Sequence, residues 1–82
     1  NSGALRFYGK PISLEARDTP IREVINAIAD QSGANIILAD EVKGNISLKL
    51  RQIPWDQALL LVMKTRGLGY VRQGSVLRVA PL

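Results

Sequence analysis

Along this chain the apolar residues alternate first with the period of a strand and then with the period of a helix, and the whole pattern occurs twice. Ile12, Leu14 and Ala16 alternate with Ser13, Glu15 and Arg17, which predicts a strand with one buried face. Ile21, Val24, Ile25 and Ile28 then recur at helical spacing, with Arg22, Glu23, Asn26 and Asp30 on the opposite face. Asp18 or Thr19 stands where a helix is capped, and Pro20 suits a first helical turn. Gly33 suits the left-handed residue that ends a helix. The β-branched run Ile36-Ile37-Leu38 predicts a short buried strand.

Displaced by 34 residues, the pattern returns without a gap. Ile12-Ser13-Leu14 falls on Ile46-Ser47-Leu48, Arg17 on Arg51, Pro20 on Pro54 and Gly33 on Gly67. Ile21, Val24, Ile25 and Ile28 fall on Trp55, Ala58, Leu59 and Val62. In this second unit Ile46, Leu48 and Leu50 face inward, while Ser47, Lys49 and Arg51 face outward. Gln52 or Ile53 occupies the cap position and caps poorly, Pro54 begins the helix, and Gly67 ends it. A period of this length also occurs in helical solenoids, but each unit here holds one helical pattern and opens on strict alternation. Leu68 and Tyr70 start a further strand, and Gln73-Gly74 permits a tight turn. That turn sets Tyr70 opposite Leu77, Leu68 opposite Val79 and Val71 opposite Val76. The predicted order is β-α-β-β-α-β-β, an α+β sandwich.

Two residues of the second helix stand out. Trp55 lies on the core stripe, where Ile21 lies in the first helix, and is expected to pack. Leu60 falls among polar positions, where the first helix has Asn26. It is covered by another layer, singly exposed, or left for a partner.

A length of 82 residues is room for one domain. Residues 1–9 read as a linker or cloning remnant and residues 10–82 as the folded unit. The longest apolar run, residues 58–63, is far short of the roughly 20 residues that span a bilayer. No signal-peptide pattern occurs, so in an exported protein the signal would have been removed upstream. The chain has no Cys and no His, which removes the usual nucleophile, the usual base near neutrality and most transition-metal ligands. Asp40 and Glu41 are adjacent carboxylates, and a polar turn explains them better than a cation site. Asp18 is a cap or turn residue, and Asp56 favours the dipole of the second helix. Gly67-Leu68-Gly69 lacks the third glycine of a phosphate fingerprint and follows a helix. No catalytic, cofactor-binding or metal-binding residues are expected, and no cofactor.

The net charge of +4 raises nucleic acid as a partner. The basic residues are spread along the chain among acidic ones, and no GxxG clamp occurs. Phe7, Tyr8, Trp55 and Tyr70 form no stacking platform on a strand, so nucleic acid is disfavoured.

Several segments together resemble a known family. They are Lys10-Pro11-Ile12-Ser13-Leu14, Gln31-Ser32-Gly33-Ala34-Asn35-Ile36 and Val42-Lys43-Gly44-Asn45-Ile46-Ser47-Leu48. Ile53-Pro54-Trp55-Asp56-Gln57-Ala58-Leu59, Gly67-Leu68 and Val76-Leu77-Arg78-Val79-Ala80-Pro81 complete the set. The stretch 12–81 resembles the secretin and TonB short N-terminal domain, the first periplasmic module of secretins. The Pro-Trp-Asp-Gln-Ala-Leu run is most similar to the version in type IV pilus secretins. The resemblance implies two helices between a two-stranded and a three-stranded sheet, a periplasmic location within an outer-membrane protein, and many copies in a ring. It implies docking to an inner-membrane pilus lipoprotein (PilP-like), contacts with neighbouring secretin subunits, and a pilus fibre passing through the ring. A signalling domain of a TonB-dependent receptor, or a secretin of type II or type III secretion, remains the alternative.

A partner would find unpaired backbone groups on short edge strands. The final hairpin, residues 68–80, and the outward face of residues 12–17 are the expected edges. Arg17, Lys49, Arg51, Arg72 and Arg78 alternate outward and suit an acidic rim. With Leu60, the candidate partner-binding residues are Arg17, Arg51, Arg72 and Arg78.

Overall fold

The structure, a computed structural model, describes residues 6–82. Strand β1 (Pro11–Pro20) leads into helix α1 (Ile21–Ser32) and the short strand β2 (Asn35–Leu38). Strand β3 (Asn45–Pro54), helix α2 (Trp55–Thr65) and strand β4 (Leu68–Gln73) repeat that order, and β5 (Val76–Pro81) closes the chain. β1 and β3 form an antiparallel two-stranded sheet. The other sheet has the order β2-β5-β4, with β5 parallel to β2 and antiparallel to β4. Each helix touches both sheets, α1 through β1 and β2, and α2 through β1, β3 and β4. This is the expected α+β arrangement of two helices between a two-stranded and a three-stranded sheet.

The apolar patterns end up where their periods put them. Ile12, Leu14 and Ile46 are buried on the sheet face that meets the helices. Ile21, Val24, Ile25 and Ile28 of α1, and Ala58, Leu59, Val62 and Met63 of α2, supply the two helical stripes. Leu68, Leu77 and Val79 close the core from the three-stranded sheet. Among the described residues no charged or polar side chain is buried.

The repeat is a repeat of backbone geometry. When every residue is exchanged for its counterpart 34 positions away, the β1–β3 register maps onto itself. Pro11↔Pro54 becomes Asn45↔Pro20, Ile12↔Ile53 becomes Ile46↔Thr19, and Glu15↔Lys49 becomes itself. A local two-fold therefore passes through the Glu15/Lys49 pair. Asp18 and Gln52 are counterparts, and both take the left-handed conformation, at φ 48° and 51°. Each sits at a break in the ladder and donates its N–H across the sheet, Asp18 to Ser47 Oγ at 2.8 Å and Gln52 to Ser13 Oγ at 3.2 Å.

These bulges correct the expected helix starts. Neither Asp18 nor Thr19 caps α1, because the bulge turns them to other work. The Asp18 carboxylate accepts from Asn45, and the Thr19 hydroxyl bonds back to Arg17. Gln52 and Ile53 likewise make no cap. Pro20 and Pro54 end their strands in extended conformation and stand just outside the helices rather than in the first turn. The first helical N–H groups are satisfied by main chain instead. Ile21 donates to the Gly44 carbonyl at 2.8 Å, and its counterpart Trp55 donates to the Lys10 carbonyl at 3.1 Å. Gly33 ends α1 in the left-handed conformation as expected, at φ 77°.

Two strand expectations also change. The outer face of the three-stranded sheet is uncovered, so Ile37, which alternates with Ile36 and Leu38, points outward and is 52% exposed rather than buried. The final hairpin turns on the two residues Gly74-Ser75, with Gly74 at φ 61°, so Gln73 pairs with Val76. Tyr70 is therefore opposite Val79, Val71 opposite Arg78, Arg72 opposite Leu77 and Leu68 opposite Pro81. Because the register moves by two positions, each residue keeps its face.

Candidate docking surface

Docking by strand addition needs an edge with free backbone groups. β5 lies between β2 and β4, so within the final hairpin the free edge belongs to β4 alone. Both strands of the two-stranded sheet also have an outer side, but their bulges at Asp18 and Gln52 interrupt it. Such bulges twist an edge away from partners. β2 is only four residues long. β4 runs through six residues with unbroken register. Its Tyr70 and Val71 are 53% and 59% exposed, an apolar pair on an unguarded edge.

The hairpin geometry says which groups of β4 are free. In an antiparallel pair, opposed residues alternate between bonded and non-bonded pairs. The pair that flanks a two-residue turn is bonded, here Gln73 with Val76. Val71 and Gly69 therefore also bond to β5, and the N–H and C=O of Tyr70 and Arg72 point to the outer side.

Beside this edge lies a groove of about 440 Å³ between α2 and β4. Trp55, Leu59, Leu60 and Met63 of α2 form one wall, and Tyr70 and Arg72 form the other. Leu60 is partly buried against the core here, which accounts for an apolar residue at that helical position. Trp55 is half-buried, packs on the core, and also lines the groove.

The chain entering β1 crosses the end of this groove. Tyr8 and Gly9 donate their N–H groups to the Asp56 carboxylate at 3.0 and 3.1 Å. Phe7 and Arg6 then extend along the groove. A side chain at Gly9 would run into the Trp55 indole and the Asp56 carboxylate, so glycine permits the close approach. Residues 6–9 thus lie against α2, while residues 1–5 fall outside the described part.

The five candidate partner residues do not share one surface. Arg17 and Arg51 are exposed counterparts on the two-stranded sheet. Arg78 is exposed on the outer face of β5, opposite Val71. Arg72 is on the other face, beside Leu77, and joins Leu60 at the groove. Arg72 and Arg78, both expected to point outward, occupy alternate sides of the paired strands. Asp40 and Glu41 form a turn, and no cluster of metal-ligating side chains occurs among the described residues. Among the described residues no helix is long and apolar enough to cross a membrane.

The described residues thus form a two-sheet module with a repeated β-α-β unit, free strand edges and a groove beside one of them. The chain belongs to the family of GspD-like N0 domains, whose model matches residues 14–79. These domains are periplasmic parts of outer-membrane secretins. Over 81 residues the chain is 42% identical to the type IV pilus biogenesis and competence protein PilQ of Neisseria meningitidis, covering 99% of this chain and 11% of PilQ. The chain thus spans about a tenth of the length of such relatives. It is similar to the type IV competence pilus secretin PilQ of V. cholerae, at 37% identity and a TM-score of 0.72 over 85% of this chain and 16% of that one. The GspC–GspD complex of the type II secretion system of enterotoxigenic Escherichia coli contains the same fold at 20% identity, with a TM-score of 0.65 over 85% of this chain and 55% of that one.

Proposed function

We propose that this chain is a non-enzymatic docking module of a type IV pilus secretin, joining the outer-membrane channel ring to the inner-membrane alignment complex from the periplasm. The observation that carries this reading is the combination of N0 family membership with 42% identity to PilQ over nearly the whole chain. The partner is an inner-membrane pilus lipoprotein of the PilP kind. Support comes from the related fold in the GspC–GspD complex. Neighbouring secretin subunits flank the module in the ring, and the pilus fibre passes through it.

Physical features agree with a docking role. The described residues hold their polar groups at the surface and leave strand edges unpaired. The spread of basic side chains suits steering toward an acidic partner surface. Titrating the ¹⁵N-labelled chain with the periplasmic part of the lipoprotein tests the reading. Localised shifts along one strand edge are expected, and they should weaken as salt is raised. An unchanged spectrum at millimolar lipoprotein would overturn direct docking by this module.

A further inference from the structure

We infer that the outer edge of β4 and the groove beneath it are one strand-adding site, which takes an extended partner segment of alternating acidic and apolar residues. This inference rests on the docking reading and specifies where, and to what chemistry, the module docks.

Three observations converge on it. First, the N–H and C=O groups of Tyr70 and Arg72 face outward on an uninterrupted edge, and they would bond to an added strand. Second, residues opposite Tyr70 and Arg72 in such a strand point to the same side of the sheet as these two side chains. That side is the groove, whose wall of Trp55, Leu59, Leu60 and Met63 is apolar. Alternate apolar side chains of the partner therefore enter it.

Third, charge selects the partner. Arg78 stands on the outer face opposite Val71, and neither β4 nor β5 carries an acidic residue. The one carboxylate at the groove, Asp56, is already bonded to the N–H groups of Tyr8, Gly9 and Gln57. The acidic residues that alternate with the partner's apolar ones would lie on the outer face, where Arg78 stands. A second copy of this chain is a poor occupant, because its β4 offers no acidic residue to meet the basic one on this face.

The two halves of the molecule give independent support. The counterparts of Tyr70 and Arg72 are Ile36 and Leu38, which pack against the core. The counterpart of Leu60 is Asn26, which is exposed. The second unit therefore differs from the first by opening its strand away from the core and placing an apolar residue on the facing helix.

The test is an NMR titration of the ¹⁵N-labelled chain with an octapeptide alternating Val and Glu, beside one alternating Val and Lys. The Glu peptide should shift the amides of Leu68 to Arg72 and the Trp55 indole N–H, and the Lys peptide should bind at least about tenfold more weakly. Arg78→Glu, on the face where the charged peptide residues lie, should remove the preference between peptides. Tyr70→Pro removes an outward donor without touching the ladder to β5, and should abolish binding while the hairpin amides stay protected. Equal binding of both peptides, shifts centred on Arg17 and Arg51 or on Ile37, or no shifts at millimolar peptide would each overturn the site. Lipoprotein that shifts resonances elsewhere while β4 stays silent leaves docking standing and removes this edge. If neither probe shifts anything, both readings fall.

Discussion

The two β-α-β units are built on one backbone plan and finished differently. In the first, residues 39–44 return over the start of α1, and the Arg22 guanidinium donates to the carbonyls of Ala39 and Val42 at 2.9 and 3.0 Å. In the second, the counterpart of Arg22 is Asp56, and it accepts N–H groups from the strap at Tyr8 and Gly9. One helix position therefore clamps the covering segment in both units, once as donor and once as acceptor. The covers differ in what they bring. Val42 is fully buried, while its counterpart Tyr8 is 81% exposed. The first unit is sealed by its own loop, and the second keeps a groove. The repeated positions maintain the fold, and the departures from repetition make the surface.

If the shared plan is right, equivalent core deletions should do equal damage. Ile25 and Leu59 are counterparts, both buried at the centres of their helices. Ile25→Ala and Leu59→Ala should each lower unfolding stability by about 3 kcal/mol. Urea titrations followed by circular dichroism would measure both. A loss confined to one of them would mean that the units do not share the core equally.

The difference in covers has its own signature. Val42→Ala removes buried methyl groups and should cost about 2 kcal/mol. Tyr8→Ala should change stability by less than about 0.5 kcal/mol, because the side chain is largely in water. Thermal melts of the pair are sufficient. A Tyr8 effect as large as that of Val42 would show the second unit sealed like the first.

Much of this plan was legible before any coordinates, because periodicity and spacing report on local backbone. The 34-residue offset located both strands, both helices and every buried position of α1. What escaped depends on contacts distant in sequence. Val42 lies in an irregular segment with no period to mark it, yet it is fully buried. Ile37 looked buried because its neighbours are apolar, and only the tertiary packing leaves the outer face of its sheet bare. The groove escaped for the same reason. Leu60 signalled it alone, whereas Tyr70 and Arg72 join it through the register of the final hairpin. The capping residues misled because Asp18 and Gln52 are bulges, which proline at the next-but-one position concealed.

The clamp itself can be loosened. Asp56→Ala removes the acceptor for two strap N–H groups at a partly buried position, a loss of about 1 kcal/mol. The Tyr8 and Gly9 amides should then exchange with solvent markedly faster, while those of α1 keep their rates. Unchanged exchange at both amides would mean that the strap is held by the packing of Phe7 and Gly9 rather than by the carboxylate.

The smallest effect concerns the bulges, where the two units differ in side chain but not in backbone. A left-handed φ strains a residue with a Cβ, and glycine relieves that strain. At Gln52 little would be lost in exchange, since its side chain makes one contact with Ser13 at 3.5 Å. At Asp18 the carboxylate also accepts from Asn45 at 3.2 Å, and glycine would forfeit that bond. Gln52→Gly should therefore stabilise the chain by a few tenths of a kcal/mol, roughly the lower end of such replacements, while Asp18→Gly leaves it unchanged. Paired thermal melts resolve the difference. Destabilisation by Gln52→Gly would place the value of that residue in its side chain and break the equivalence of the two bulges.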